Sequence, residues 1–280
     1  FIESIKQRIN FFEKSEIKNW VTPKLNTEKK DPIFLIGFPR SGTTLLDTIL
    51  RSHQSIEVIE EKPIINDFID ALNNKTDSNF DKLKIIDENL LNEMREVYFN
   101  NQNKYIKSNN NKTIIDKMPL NIIYVGEIVR IFPNAKFILA IRHPCDCVLS
   151  CFMQNFELND AMANFLNLED SAKLYDITMS LWEIYSKVFS INSHAIKYED
   201  VVSNFDKSIE KLLSFLELPW SENVKKFYKK AEMRGVISTP SYNQVSQPIY
   251  SKSIGRWKNY EKEISTIIPT LDPWIKRYKY

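Results

Sequence analysis

The sequence predicts an α/β fold, a parallel sheet with helices on both faces. Short apolar runs bounded by Pro or Gly recur, the first being residues 32–38 (PIFLIGF), and such runs suit strands buried on both sides. Segments of helical period fill the intervals between them. The repeated order of strand, helix, strand favours parallel pairing through crossover helices.

The elements follow in order. Ile2, Ile5, Ile9, Phe12 and Ile17 give residues 1–20 near-helical spacing, and a polar stretch, 26–31, leads into the strand at 32–38. A helix is expected over 43–52, and further buried strands over 55–59, 113–115, 136–141 and 195–198. Helical patterns cover 63–72, 81–106, 120–131, 146–156, 172–189 and 205–216. The asparagine-rich tract 100–112 reads as a surface loop. Beyond Pro219 come a helix over 222–233, an irregular segment over 238–253 and a last helix after Glu261. Long irregular loops in compact domains are usually functional or disordered. Tyr242, Gln244, Gln247 and Tyr250 in this one favour an ordered loop that makes contacts. The expected division is a helical lead-in or linker over 1–31 and one domain over 32–280.

Composition narrows the function classes. The 280 residues are 43% hydrophobic and 26% charged, which allows a full core. With 38 Lys and Arg against 36 Asp and Glu, the net charge is +2. That near balance argues against a nucleic-acid partner but leaves room for a local basic pocket. The 12% aromatic content and five glycines exclude disordered and collagen-like classes. No apolar run is long enough to span a bilayer, so no membrane partner is expected, and no signal peptide is visible. The chain begins at Phe1 rather than Met, consistent with loss of an upstream segment. Cys145, Cys147 and Cys151 form neither a disulfide framework nor a zinc site. As free thiols on one helix they suit a reducing cytoplasm. A homodimer is compatible with the chain, although no dimer face is legible.

Between the first strand and the first helix of the domain lies Gly37-Phe-Pro-Arg-Ser-Gly-Thr-Thr44. Gly37, Gly42 and Thr44 fall where the triphosphate-binding loop G-x-x-x-x-G-K-[ST] requires them, and Thr43 stands where its lysine should be. The loop amides and helix N-terminus can still hold a phosphate, with the Thr43 and Thr44 hydroxyls as added donors. The point charge that reaches a β/γ-phosphate is lost, and Arg40 supplies a cation elsewhere. The fold expected is therefore a P-loop-type sheet whose phosphate site is not built to hydrolyse ATP or GTP. A second anion site is signalled where the strand at 136–141 ends in Arg142 and Pro144 and Asp146 open a helix. Ser150 lies in that helix, so its side chain and that of Arg142 can converge on one group. Alone, Arg142 would read as a rim salt bridge. Strand C-termini in such sheets share one crevice, which the first loop also lines.

Arg40-Ser-Gly-Thr-Thr44 together with Arg142 and Ser150 resembles the sulfotransferases that use 3′-phosphoadenosine-5′-phosphosulfate. The pattern is similar to bacterial sulfotransferase domains often joined to tetratricopeptide repeats, and more distantly to protein-tyrosine sulfotransferases. It runs through 37–53 (GFPRSGTTLLDTILRSH), 116–120 (DKMPL), 132–135 (FPNA), 151–156 (CFMQNF) and 244–260 (QVSQPIYSKSIGRWKNY). The resemblance implies that Arg40, Ser41, Gly42, Thr43 and Thr44 wrap the 5′-phosphosulfate, while Arg142 and Ser150 hold the 3′-phosphate. It adds Tyr198, Ser241, Tyr250 and Arg256 to the nucleotide contacts. Such a donor leaves as adenosine 3′,5′-bisphosphate and calls for no metal. The tyrosine sulfotransferases carry an arginine four residues after the helix serine; this chain has Gln154 there.

Sulfuryl transfer requires a base for the acceptor hydroxyl and cations for the charge that builds on the leaving phosphate. Glu60, Glu61 and His53 follow or end the first helix of the domain. The resemblance to tyrosine sulfotransferases makes Glu61 the base, twenty-one residues after Arg40. Adjacent acids in a strand are expected to face opposite ways, so only one should face the site. His53 fits a structural role at the helix C-terminus. By the same resemblance Lys117 is a cation on the sulfuryl or bridging oxygens, with Ser241 a neutral partner and Arg40 sharing the charge. From the residues alone, Lys117 also reads as a surface lysine beside a solvated Asp116. The expected acceptor is a hydroxyl on a peptide or a small molecule. Two other readings stay open: a scaffold that kept the fold and lost turnover, and a phosphotransferase on a degenerate loop.

Overall fold

The computed structural model describes residues 1–21, 29–107, 112–229, 249 and 251–280. Among these the apolar runs form β1 (Ile33–Gly37), β2 (Ile56–Glu60), β3 (Thr113–Lys117), β4 (Lys136–Ile141) and β5 (Asn192–Lys197). All pairings are parallel, in the order β2-β3-β1-β4-β5. In β1 and β4 alternate side chains enter opposite cores. Phe34 and Ile36 join Phe137, Leu139 and Ile141 on one face, whereas Leu35 joins Ile138 and Ala140 on the other. This two-sided burial is why the runs read as continuous rather than alternating.

The helices cover both faces. On the Leu35 side lie α2 (Thr43–Ser52), α8 (Tyr198–Ser203) and α9 (Phe205–Phe215). The Phe34 side carries α1 (Ile2–Glu13), α3 (Ile64–Thr76), α4 (Glu88–Asn103), α5 (Val125–Ile131), α6 (Pro144–Phe152), α7 (Leu168–Val188), α10 (Glu261–Ile264) and α11 (Ile268–Arg277). Helix α1 docks on α7: Phe12 is fully buried and packs edge-on against Tyr185 at 5.0 Å. A Cβ on Gly126 would stand 2.4 Å from the Phe12 ring, so only glycine lets α5 approach this pair. Beside it Arg8 and Glu127 form a buried ion pair at 2.7 Å.

Several boundaries differ from the sequence expectation. The single helix over 81–106 is a 3-10 helix, Phe80–Ile85, followed by α4. Asp87 adopts an extended conformation and its carboxylate accepts from Leu90 N at 2.8 Å, so the cap starts a new helix where the apolar period runs on unbroken. The helix over 120–131 likewise divides into a 3-10 turn, Pro119–Tyr124, and α5. β3 continues through Lys117, which therefore lies within the strand rather than after it. Tyr198 belongs to the first turn of α8 rather than to β5. Of the helix over 222–233, the described part includes a 3-10 helix, Glu222–Lys226. Most of the irregular segment, 238–248 and 250, lies outside the described residues. No described helix is long and apolar enough to cross a membrane.

Candidate active site

The C-terminal ends of all five strands lie along one edge of the sheet, and each delivers a candidate residue. Arg40 follows β1, Glu61 follows β2, Lys117 ends β3, Arg142 follows β4 and Tyr198 follows β5. In a parallel sheet this edge is where loops and helix N-termini converge on a ligand.

The loop after β1 is held in a tight curl. Gly37 has φ 154° and a Cβ there would stand 2.6 Å from Ala140 O, so the first glycine is required by the neighbouring strand. Gly42, at φ 102°, starts α2 and lies against Tyr198, whose Cδ2 is 3.0 Å from where a Cβ would be. Arg40 itself is left-handed, with φ 67°. A non-glycine residue held there is the kind of local strain that surrounding structure maintains at ligand sites. The twist directs Arg40 Nε to Ser150 Oγ on α6 at 3.0 Å and leaves Arg40 O to accept from Arg142 Nη1 at 3.2 Å. Arg142 and Ser150 are thus joined through Arg40.

Arg142 is buried, and its guanidinium lies 4.9 Å from the Tyr198 ring centroid. Its Nη2 donates to Ser253 O and stands 3.9 Å from Asp146. Among the described residues its Nε has no hydrogen-bond partner, and neither has the buried Ser41 hydroxyl. Two orphaned donors beside the open first turn of α2 are what a bound anion would satisfy. Thr43 and Thr44 are buried in that first turn.

The sequence reading placed Asp146 only at the opening of a helix and missed its tie to the C-terminal segment. Its carboxylate, 2% exposed, accepts from Gly255 N at 2.8 Å and Trp257 N at 2.9 Å, and so ties the C-terminal segment to the start of α6. His143 stacks on Trp257 at 4.9 Å. Arg256 is held next to the site by its backbone neighbours, while its side chain is exposed and has no ion pair among the described residues. Ser241 and Tyr250 lie outside the described residues. Gln154 bonds Asn155 O at 3.4 Å.

Around β3 the charges are closed on themselves. Lys117 is fully buried, which excludes the surface-lysine reading. Its Nζ lies 2.6 Å from Glu61, 3.2 Å from Glu60 and 4.0 Å from Asp47. Arg51, one turn after Asp47 on α2, pairs with it at 2.7 Å. Burial alone would pull the Lys117 pKa down; Asp47, Glu61 and Glu60 outweigh it and hold the pKa above its usual value. The expectation that Glu60 and Glu61 face opposite ways is overturned, since both reach Lys117. Glu61 has left the strand: its φ is 49°, which breaks the alternation, and its N–H bonds Lys117 O at 2.8 Å. Its side chain is 38% exposed, against 9% for Glu60, so of this acidic pair Glu61 is the one open to an incoming molecule. Asp47 and Arg51 were not singled out from the sequence; their i, i+4 spacing on an otherwise apolar helix was the available signal.

Two other groups stand apart from these. His53 is 1% exposed, its Nδ1 accepts from Ser55 N at 3.1 Å and its Nε2 lies 3.0 Å from Pro219 O, so both ring nitrogens serve the fold. Asp116 is fully buried rather than solvated, and burial pushes its pKa up to about 7 against the bond it receives from Tyr98 at 3.4 Å. The three cysteines are free and buried; burial raises all three thiol pKa values, that of Cys145 to about 12, which leaves them unreactive.

The family model described as "Sulfotransferase family" matches residues 32–222. An "Uncharacterized protein" of Aquifex aeolicus is 30% identical over 266 residues, covering 89% of this chain and 34% of that protein. Protein-tyrosine sulfotransferase 1 of Danio rerio is 23% identical over 268 residues, covering 91% of this chain and 74% of that protein. The chain thus spans about a third of the Aquifex relative and most of the zebrafish one. The sulfotransferase domain of the Synechococcus PCC 7002 olefin synthase superposes with a TM-score of 0.57 at 18% identity, over 84% of this chain and 90% of that one. Mouse sulfotransferase SULT7A1, solved with PAP, gives 0.52 at 18% identity, over 95% and 90%. With its parallel sheet, its strand-end row of residues and a family match over most of its length, the chain belongs to the sulfotransferase family.

Proposed function

We propose that residues 32–280 transfer the sulfuryl group of 3′-phosphoadenosine-5′-phosphosulfate to an acceptor hydroxyl. The observation that carries this reading is the pair of the buried Lys117 with the solvent-open Glu61, 2.6 Å apart, in the same row of strand ends as Arg40 and Arg142. A scaffold has no use for a buried cation paired with an accessible base beside an anion pocket. Thr43 in the lysine position weighs against the phosphotransferase reading.

Bound in this pocket, the donor would supply the sulfuryl group and a bisphosphate that leaves with the electron pair of the breaking S–O bond. The orphaned Arg142 Nε and Ser41 Oγ, with Ser150, Thr43, Thr44 and the first-turn amides of α2, would hold its phosphates, and Tyr198 would flank it. Glu61 takes the acceptor proton. Its contact with Lys117 opens as it does so, and Glu60 and Asp47 keep the ammonium charged and in place. Lys117 then turns its charge, with that of Arg40, toward the oxygens where charge builds, and Ser241 serves as a neutral partner. A preorganised donor of this kind is worth about 3–4 kcal/mol in the barrier. Acceptors that fit a carboxylate base are phenols and alcohols, on a peptide or a small molecule.

The reading is tested by calorimetric titration with adenosine 3′,5′-bisphosphate without magnesium, and with ATP plus magnesium. Micromolar binding of the bisphosphate alone is expected. Preference for ATP with metal would replace sulfuryl transfer by phosphoryl transfer, and binding of neither would remove the nucleotide from the site.

A further inference from the structure

β5 is an edge of the sheet: it pairs with β4, and no described strand lies on its other side. Asn192, Ser193 and Ala195 are exposed along it. The outer N–H and C=O groups of such a strand are an open template for another strand. A groove of about 680 Å³ runs along this edge with residues 193–197 as its floor. One wall comes from α8 and α9, the other from the end of α7 and the chain after α11, so the groove opens between the two helix layers.

The groove is basic. Lys197, Lys207, Lys211, Arg277 and Lys279 line it against two acids, Glu183 and Asp200, in a chain of net charge +2. Two of these cations are engaged, Lys197 with Tyr278 O at 2.5 Å and Arg277 with Glu183 at 2.6 Å. Lys207, Lys211 and Lys279 are exposed and form no ion pair among the described residues. They stand on both walls. Lysines at an edge repel a second copy of the same edge, and the occupant they favour carries the opposite charge.

We propose that the β5 edge receives an extended acidic polypeptide segment from a partner, added beside β5 as a further strand. Backbone hydrogen bonds hold it to the edge. Its side chains alternate at period two, so acids at even positions meet Lys207 and Lys211 while acids at odd positions meet Lys279 on the other wall. The surface lies on the far side of β4 and β1 from Lys117, about 14 Å by strand spacing, and its occupancy does not depend on the sulfuryl-transfer reading.

The test is fluorescence anisotropy of the whole chain with a labelled octapeptide, Glu-Glu-Val-Glu-Glu-Val-Glu-Glu, and two N-methylated forms that block alternate sets of its amides. Saturable binding is expected, lost for one methylated form and kept for the other, because an edge strand bonds alternate amides only. Lys207→Glu with Lys211→Glu should weaken binding at least tenfold without shifting Tm. Hydrogen exchange should slow in β5. The proposal is overturned if the peptide does not bind, if the two methylated forms behave alike, or if charge reversal changes nothing. It is equally overturned if sedimentation finds a dimer that charge reversal dissolves, since the edge would then hold a second copy.

Discussion

Two neighbouring regions of the strand-end edge bury cations in opposite ways. At β3, Lys117 and Arg51 are enclosed by Asp47, Glu60 and Glu61, with contacts from 2.6 to 4.0 Å. At β4, Arg142 is met chiefly by neutral acceptors, the carbonyls of Arg40 and Ser253, while Asp146 stands back at 3.9 Å and its own carboxylate is spent on backbone amides. Burying a charge costs several kcal/mol unless it is compensated. The first region compensates internally and needs no ligand to be stable. In the second, Arg142 Nε and the Ser41 hydroxyl have no hydrogen-bond partner among the described residues, and on the proposed reading an anion is the missing half. The difference separates two tasks. On the proposed reading one region is machinery assembled in advance, and the other is a receiver.

Breaking each region should therefore have a different signature. Lys117→Met leaves the buried Asp47 and Glu60 with Arg51 as their remaining cation and takes the partner from Glu61 at the rim. It should lower stability by about 3–5 kcal/mol, read in chemical denaturation, and reduce turnover at least a hundredfold. Arg142→Ala should leave the fold intact and weaken adenosine 3′,5′-bisphosphate binding more than tenfold, in line with ~1.5–3 kcal/mol for a charged hydrogen bond. Equal affinity for nucleotides with and without the 3′-phosphate would remove Arg142 from that role.

Asp116 sharpens the contrast, being buried with no ion pair among the described residues. The folded chain keeps its proton up to about pH 7, whereas an unfolded aspartate loses it near 3.8. The group's contribution to stability thus falls as pH rises between these values and is level above them. Asp116→Asn should flatten that part of the stability curve, and an unchanged slope would place the titration elsewhere. The smallest effect belongs to Ser41→Ala. Stability should hold or rise slightly, because an orphaned buried hydroxyl is removed, while bisphosphate affinity falls a few-fold, about 0.5–1.5 kcal/mol.

What the sequence reveals and what it hides follow the same division. The receiver is legible because its parts are local: Gly37, Arg40, Gly42 and Thr44 lie within one loop, and Arg142 and Ser150 in one strand–helix unit. Strands buried on both faces are legible for the same reason. The Lys117 network is not, because strand register sets Glu60 beside Lys117 and the placement of α2 brings Asp47 to them, seventy residues before Lys117. Glu61 defeats the period-two rule through a single left-handed residue, which no pattern of apolar positions announces. Asp87 shows the same limit in a helix, where a cap interrupts an apolar period that reads as continuous.

The most direct test of this division is Glu61→Ala, measured on one preparation for sulfuryl transfer and for bisphosphate binding. The account predicts turnover at least a hundredfold lower, as for loss of a general base, with nucleotide affinity within about threefold of the parent. Turnover that survives, or binding that falls with it, would contradict the separation of machinery from receiver.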